Sequence, residues 1–304
     1  MNDRKKSKTV FVAGATGYLG GFVVKELLSK NYSVKALSRS KGKEDSIEAL
    51  VDEVVLGDAR DIESLRGSMK GVDVLISSVG IRSMNAKPTY EEVDFQANKN
   101  LVDLAREESV KHIIFVSVLM ADKLRDEVPG MDARERVVDA IKDSGIKYTI
   151  ARPNGFFNDM AGMFATAVSG RFILIGKGDT RINPIHGADL ARELVDSIEN
   201  QERWNHEFDI GGPEVYTLKE IGDFAFDALS RKRRFLFLPP ALLEFFSKVC
   251  KPFNLNAAYL FKAMAILGSQ RDMLAPRYGS HSLRDYFNEL ATDVFEKIAE
   301  KGKK

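Results

Sequence analysis

The chain has 304 residues, enough for about two domains of roughly 150 residues or one enlarged α/β domain. Its 44% hydrophobic and 29% charged residues exclude disordered and collagen-like chains. The 45 basic and 44 acidic residues leave a net charge of +1, which argues against a protein built to hold nucleic-acid backbones.

One cysteine, Cys250, can form neither an internal disulfide nor a zinc cage by itself, so a reducing, cytoplasmic setting is expected. The four histidines, His112, His186, His206 and His281, are too scattered to define a metal site. No apolar run reaches the ~20 residues of a bilayer-spanning helix. The start, Arg4-Lys5-Lys6-Ser7-Lys8 before Thr9–Ala13, imitates a signal sequence but breaks at once into glycines. It reads as a polar tail before a first strand.

Short runs rich in β-branched residues follow at 9–13, 33–37, 53–56, 72–77, 112–117 and 147–151. Stretches with helical spacing separate most of them, such as Val93/Ala97/Leu101/Leu104. Strands alternating with helices require parallel pairing through crossovers. The expectation is therefore an α/β fold, a Rossmann-type doubly wound parallel sheet, followed by a smaller and mainly helical C-terminal region. The division is expected at 1–155 and 156–304. Helices are predicted at 156–168, 187–199, 217–230, 240–249, 256–267 and 282–300, and a strand near 206–210 is expected to return to the sheet.

Two charge runs, Arg231-Lys232-Arg233-Arg234 and Lys297 to Lys304, fit a solvated surface and a frayed tail. The apolar stretch 235–246 beside the first run leaves open a contact of the C-terminal half with an anionic membrane surface. Phe156, Phe157, Met160, Met163 and Phe164 form a stripe at helical spacing that suits core packing or an apolar substrate wall. Phe245, Phe246, Leu260, Phe261 and Met264 pose the same alternative.

The segment Gly14-Ala15-Thr16-Gly17-Tyr18-Leu19-Gly20 joins the first strand to the first helix. Glycine there allows a tight turn, admits a pyrophosphate without a Cβ in the way, and lets the helix approach the strand. The helix start adds unpaired N–H groups for an anion. The spacing is G-x-x-G-x-x-G, which differs from the familiar G-x-G-x-x-G. At the end of the second strand, where NAD-binding folds place an acid, the chain reads Ser38-Arg39-Ser40-Lys41. Arg39 suits a 2′-phosphate, with Ser38, Ser40 and Lys41 as helpers, so the expected cofactor is NADP(H).

These segments, with Gly57-Asp58-Ala59-Arg60-Asp61, residues 144–153, Asn183–Ala191 and Phe208–Pro213, resemble atypical short-chain dehydrogenase/reductases. The closest likeness is to the NmrA-like NAD(P)H-binding group, over roughly residues 8–230, and particularly to divinyl chlorophyllide reductases. Photosystem assembly factors and a complex I accessory subunit share much of the pattern. The resemblance implies that Gly14, Thr16, Gly17, Tyr18, Leu19 and Gly20 hold the pyrophosphate, and that Arg39 takes the 2′-phosphate. It places Asp58 and Ala59 at the adenine, and Ser78, Val79 and Gly80 under a ribose. Pro153, Asn154, Gly155 and Phe156 would lie along the nicotinamide side. For His186 it implies a packed structural histidine.

The resemblance also implies a Ser with Tyr-x-x-x-Lys for proton delivery. Ser117 fits the serine position, but Gly130 stands where tyrosine belongs and Arg134 about where lysine belongs. Arginine does not readily exchange a proton, so Arg134 suits anion or ribose binding. Ser117 and Arg134 remain the candidate catalytic pair, with Lys123 and Tyr90 as other donors. Two functions follow. One is an NADPH-dependent reductase acting on an apolar, conjugated small molecule. The other is a non-catalytic NADP(H)-binding regulator or assembly factor that contacts a protein or membrane partner.

Overall fold

A computed structural model describes residues 8–39, 49–81, 85 and 87–301, with side chains described as far as residue 297. In chain order the first elements are β1 (Thr9–Ala13), α1 (Tyr18–Ser29), β2 (Ser33–Ser38), β3 (Glu53–Leu56) and β4 (Val74–Ser77). A π-helical turn, Glu91–Ala97, runs into α2 (Asn98–Glu107), followed by β5 (His112–Val116), α3 (Ala121–Leu124), α4 (Pro129–Asp143) and β6 (Lys147–Pro153). Next come α5 (Phe157–Val168), β7 (Phe172–Ile175), β8 (Arg181–Ile182), α6 (Gly187–Asp196), β9 (His206–Ile210) and β10 (Tyr216–Thr217). The last are α7 (Leu218–Ala228), β11 (Phe235–Leu238), α8 (Pro240–Cys250), α9 (Leu255–Ser269), β12 (Asp272–Met273) and α10 (Leu283–Lys301).

The chain divides into two compact units, Met1–Arg152 with Leu190–Asp209, and Pro153–Asp189 with Ile210–Lys304. The first unit carries a seven-stranded sheet of order β3-β2-β1-β4-β5-β6-β9. The order reverses between β2–β1 and β1–β4, both parallel pairs in register from Val10. That reversal is the topological switch point at which such sheets bind ligands beyond the strand ends. The six predicted strands and the returning strand are all present, as the doubly wound expectation requires.

Parallel strands buried on both faces read as continuous apolar runs, and β5, His-Ile-Ile-Phe-Val, is buried throughout. One core of the first unit joins Phe11, Leu75, Ile113 and Phe115 from the strands to Leu101 and Leu104 of α2 and Val137 and Ile141 of α4. The helical period at 97/101/104 therefore reports the face that α2 buries.

The second unit has its own core, in which Phe157, Met160 and Phe164 of α5 meet Ile221 and Phe226 of α7 and Leu283 and Phe287 of α10. Three members of the Phe/Met stripe are thus core residues. Helix α7 begins with a capping box: Thr217 Oγ1 accepts from Glu220 N at 3.1 Å, and Glu220 Oε2 accepts from Thr217 N at 2.7 Å. Strands β7 and β11 pair in parallel from Phe172–Phe235 to Ile175–Leu238, and neither was read as a strand from sequence. Each is four residues long and is specified by a partner some sixty residues away, which local periodicity does not register.

Candidate functional site

Between β1 and α1 the backbone turns through Gly14 at φ +88°, a conformation that disfavours any side chain. A Cβ on Gly14 would also lie 2.7 Å from Ser78 Oγ. A Cβ on Gly20 would fall onto the Gly14 carbonyl and within 2.8 Å of Ala15 Cα, so this glycine sets the closeness of helix and turn. Gly17 N donates to Gly14 O at 2.9 Å, and α1 starts with no side-chain cap and no acidic residue in its first turn. The uncapped N–H groups and the positive helix end suit an anion.

A cavity of about 430 Å³ opens over this turn. Gly14, Thr16 and Gly17 border it on one side, Leu37 and Arg39 at the end of β2 on another, and Asp58, Ala59 and Arg60 after β3 on a third. Ser78, Val79, Gly80 and Ile81 after β4, with Pro88, Val93 and Ala97, complete the lining. The sequence-predicted Gly14, Thr16, Gly17, Arg39, Asp58, Ala59, Ser78, Val79 and Gly80 thus come together at the switch point. Tyr18, Leu19 and Gly20 belong to the first turn of α1 and do not line the cavity. Ser38 is buried and also does not line it. Ser40 and Lys41 lie outside the described residues.

Among the charged residues lining the cavity, Arg60 is the one that sequence reasoning did not assign. Its Nε donates to both carboxylate oxygens of Asp58 at 3.1 Å, and its Nη2 reaches Oδ2 at 2.6 Å. Asp58 is held below the usual carboxylate range, first by these hydrogen bonds and further by the charge of Arg39, although partial burial opposes the shift. Asp58, the acid among the described lining residues, is thus paired, and two guanidinium groups border the same space.

Three side chains from one helical segment fix the loops that form the cavity, and none was singled out from sequence. Asn98 accepts from Ser77 Oγ at 2.6 Å and donates to Val79 O at 3.3 Å and Asp94 O at 2.9 Å. Asn100 donates to Ala59 O at 2.8 Å. Asp94, 1% exposed, accepts from Ile81 N at 3.2 Å and pairs with Arg134 Nη2 at 2.8 Å. Burial pushes the Asp94 carboxyl above its ordinary range, and the charge of Arg134 works against that shift. The signal was the placement of Asp94 and Asn98 one position after Val93 and Ala97, beside the apolar stripe of the segment.

Arg134 also donates to Val116 O at 2.7 Å. A Cβ on Gly80 would collide with its guanidinium, so Gly80 is the residue that lets Arg134 lie under the loop. Ser117 is 1% exposed and donates to Glu135 Oε1 at 2.9 Å, while Arg152 Nη1 reaches Ser117 Oγ at 3.2 Å. Arg152 grips Glu135 through both guanidinium ends, with Nη2 to Oε2 at 2.8 Å, and also reaches Glu207 at 2.6 Å. Burial works against the charge of Glu207, but Lys142 and Arg152 together hold its carboxyl below the ordinary range. Both members of the candidate catalytic pair are thus ends of ionic networks. At Gly130, an added Cβ would lie 3.1 Å from the Tyr90 ring, so the place of the expected tyrosine is covered by another one.

In the second unit, Asn154 donates to Asn183 Oδ1 at 2.7 Å and Met273 O at 2.6 Å, which engages both of its amide hydrogens. Phe156 N donates to Asp159 Oδ2 at the start of α5 at 2.8 Å, and Gly155 has φ +63°. Pro153 ends β6. His186 Nδ1 accepts from Ala188 N at 3.2 Å, and its ring stacks on His281 at 4.1 Å. Burial, with the neighbouring His281 adding to it, lowers the His186 pKa to about 4.

A strand order reversing over a glycine turn, with a cavity at the reversal, defines a Rossmann-type dinucleotide-binding protein. The chain belongs to the NAD(P)H-binding family, whose profile matches residues 14–201. It is 28% identical to divinyl chlorophyllide a 8-vinyl-reductase of Arabidopsis thaliana over 95% of this chain and 78% of that protein. It is 27% identical to a photosystem II assembly factor of Cyanophora paradoxa over 78% of this chain and 73% of that protein. Among solved structures, the NADPH complex of a quinone oxidoreductase from Escherichia coli superposes with a TM-score of 0.69 at 19% identity, covering 94% of this chain and 99% of that one. The leucoanthocyanidin reductase–NADPH complex of Vitis vinifera gives 0.73 at 17% identity, covering 93% and 99%. The fold is that of NAD(P)H-dependent reductases, and the resemblance drawn from the motifs holds.

Proposed function

We propose that the protein is an NADPH-dependent reductase of the atypical short-chain type that reduces a carbon–carbon double bond in an apolar, conjugated small molecule. One observation carries the cofactor preference: Arg39 and Arg60 border the same cavity, and Arg60 pairs with Asp58, the acid among its described lining residues. A 2′-phosphate gains two charge-assisted donors there, whereas among the described lining residues a bare 2′-hydroxyl finds no unpaired carboxylate. The pyrophosphate would be held by Gly14, Thr16 and Gly17 with the start of α1, and Ser78, Val79 and Gly80 would support the ribose.

When bound, the reduced nicotinamide supplies a hydride, which suits an electron-poor double bond. Arg134 and Ser117 act as positioning residues: Arg134 holds the Gly80–Ile81 loop through Asp94, and Ser117 joins Glu135 and Arg152 in fixing the end of β5. An alkene reduced in conjugation needs less from a protein acid than a ketone does, since the electron-rich product can take its proton from water. The likeness to a vinyl reductase favours the same chemistry.

A second reading, a non-catalytic NADP(H)-binding assembly factor, is favoured by one observation: the Ser117 hydroxyl is enclosed in an ionic network where proton delivery would require exposure. The likeness to photosystem II assembly factors points the same way. Calorimetric titration with NADPH and NADH, followed by NADPH oxidation assays against quinones, enones and vinyl porphyrins, separates the two. Turnover of an enone or vinyl porphyrin supports the reductase. Tight NADPH binding without turnover of any of them gives the second reading, and equal affinity for NADH overturns the cofactor assignment.

A further inference from the structure

The second unit carries an apolar helix face turned the wrong way. On α8, Leu242, Phe245, Phe246 and Val249 recur at the spacing of one helix face and continue to Phe253 beyond its end. In a globular helix such a stripe faces the core. Here all five are exposed, Phe245 at 58% and Phe253 at 83%, and the one buried residue of α8 is Leu243 on another side. Phe237 of β11, which precedes α8, is also half exposed. The ring centroids of Phe245 and Phe246 lie 5.9 Å apart, and Phe246 lies 6.0 Å from Phe261, which itself packs against Leu243 and Ala265. These side chains form a patch of the kind that marks an interaction surface.

The charge around the patch selects what covers it. Residues 231–262 contain seven Lys and Arg and one acidic residue, Glu244, and although Arg233 pairs with Asp223 and Asp227, a basic excess remains in a chain whose net charge is +1. Glu244 is itself paired with Lys262 at 3.5 Å. Lys232, Arg234, Lys248 and Lys251 are exposed. Two copies meeting through this surface would bring two cationic segments together, so self-association is disfavoured. No helix among the described residues is long and apolar enough to cross a membrane.

We propose that this face docks on the surface of an anionic lipid bilayer. The α8 stripe lies at the boundary of headgroups and acyl chains, and the flanking lysines and arginines meet the lipid phosphates. The interaction is a property of the second unit and is independent of the cofactor assignment.

The test is vesicle flotation of the full chain with phosphatidylcholine alone and with added phosphatidylglycerol. The parent protein should float with the anionic vesicles and about tenfold less with neutral ones or in high salt. Phe245→Glu combined with Phe253→Glu, both at exposed positions, should abolish flotation while circular dichroism and NADPH binding stay unchanged. Lys248→Glu with Lys251→Glu should weaken it by about tenfold. Absence of the parent protein from anionic vesicles overturns the proposal, as does equal flotation of the phenylalanine variants. A dimer in sedimentation velocity that dissociates on Phe245→Glu overturns it in favour of self-association.

Discussion

Arg134 reaches the buried carboxylate of Asp94 at 2.8 Å, and the other oxygen of that carboxylate accepts the N–H of Ile81 at 3.2 Å. An arginine standing about where a catalytic lysine was expected thus acts on the cavity through a carboxylate and a loop. Its fixed charge suits that task, since it favours the ionised form of Asp94 against a burial that pushes the carboxyl up.

Arg134→Ala leaves Asp94 buried without its partner, and breaking a buried pair costs about 3–5 kcal/mol of stability. The loop at Gly80 should loosen as well, weakening NADPH by about 1–2 kcal/mol. Arg134→Lys should recover part of both losses. Adding Asp94→Asn to Arg134→Ala should recover stability, because the uncompensated charge is gone. Urea unfolding and calorimetry check this, and additive losses in the double variant would show that the two residues do not act as a pair.

Arg39 and Arg60 should behave differently although both border the cavity. Arg39→Ala should weaken NADPH by about 1–3 kcal/mol and leave NADH nearly unchanged, the scale of a lost charge-assisted bond. Arg60→Ala removes a cation and also releases Asp58, whose carboxylate then repels a 2′-phosphate and can accept from a 2′-hydroxyl. The NADPH/NADH preference should therefore fall further for Arg60→Ala than for Arg39→Ala. Titration of both cofactors into the three proteins decides it.

Gly17 offers a steric test. A Cβ there lies 3.1 Å from Gly14 O, a tight contact that a small shift relieves, so the fold should tolerate a side chain. A branched one would stand over the turn beside the uncapped start of α1. Gly17→Val should keep native circular dichroism and lose NADPH binding by at least about a hundredfold, about 2.7 kcal/mol. Normal binding by a folded variant would move the pyrophosphate elsewhere.

The sheet, the glycine turn and most of the cavity wall were legible because each depends on local signals: β-branched runs, a period change, and glycines where φ or close approach requires them. The supports of the cavity were hidden for the opposite reason. Ser117 meets Glu135 and Arg152, which lie 18 and 35 positions away, and only the fold brings the three together. Asp94, Asn98 and Asn100 sit inside a helix whose apolar period drew the reading, while their polar atoms hold loops from two other strands. The exposed face of α8 had the spacing of a buried one, and periodicity does not say which way a face turns.

His112 gives a pH test within the first unit. Thr149 Oγ1 donates to Arg203 O at 2.8 Å, so it accepts from His112 Nε2 at 2.9 Å and fixes the neutral tautomer protonated at Nε2. Burial, followed by the positive charge of Lys147, lowers the His112 pKa from 6.5 to about 4. The folded state thus binds the proton more weakly than the unfolded chain. The contribution of a neutral His112 is full above pH 6.5 and is lost as pH falls toward the folded value. Between pH 7 and pH 5 this one group should remove about 2 kcal/mol of stability. His112→Asn should be less stable than the parent at neutral pH, and the gap should close by about that amount on acidification. Urea unfolding of both proteins at the two pH values measures it. A gap that stays constant would mean that His112 is protonated in the folded protein as readily as in the unfolded one.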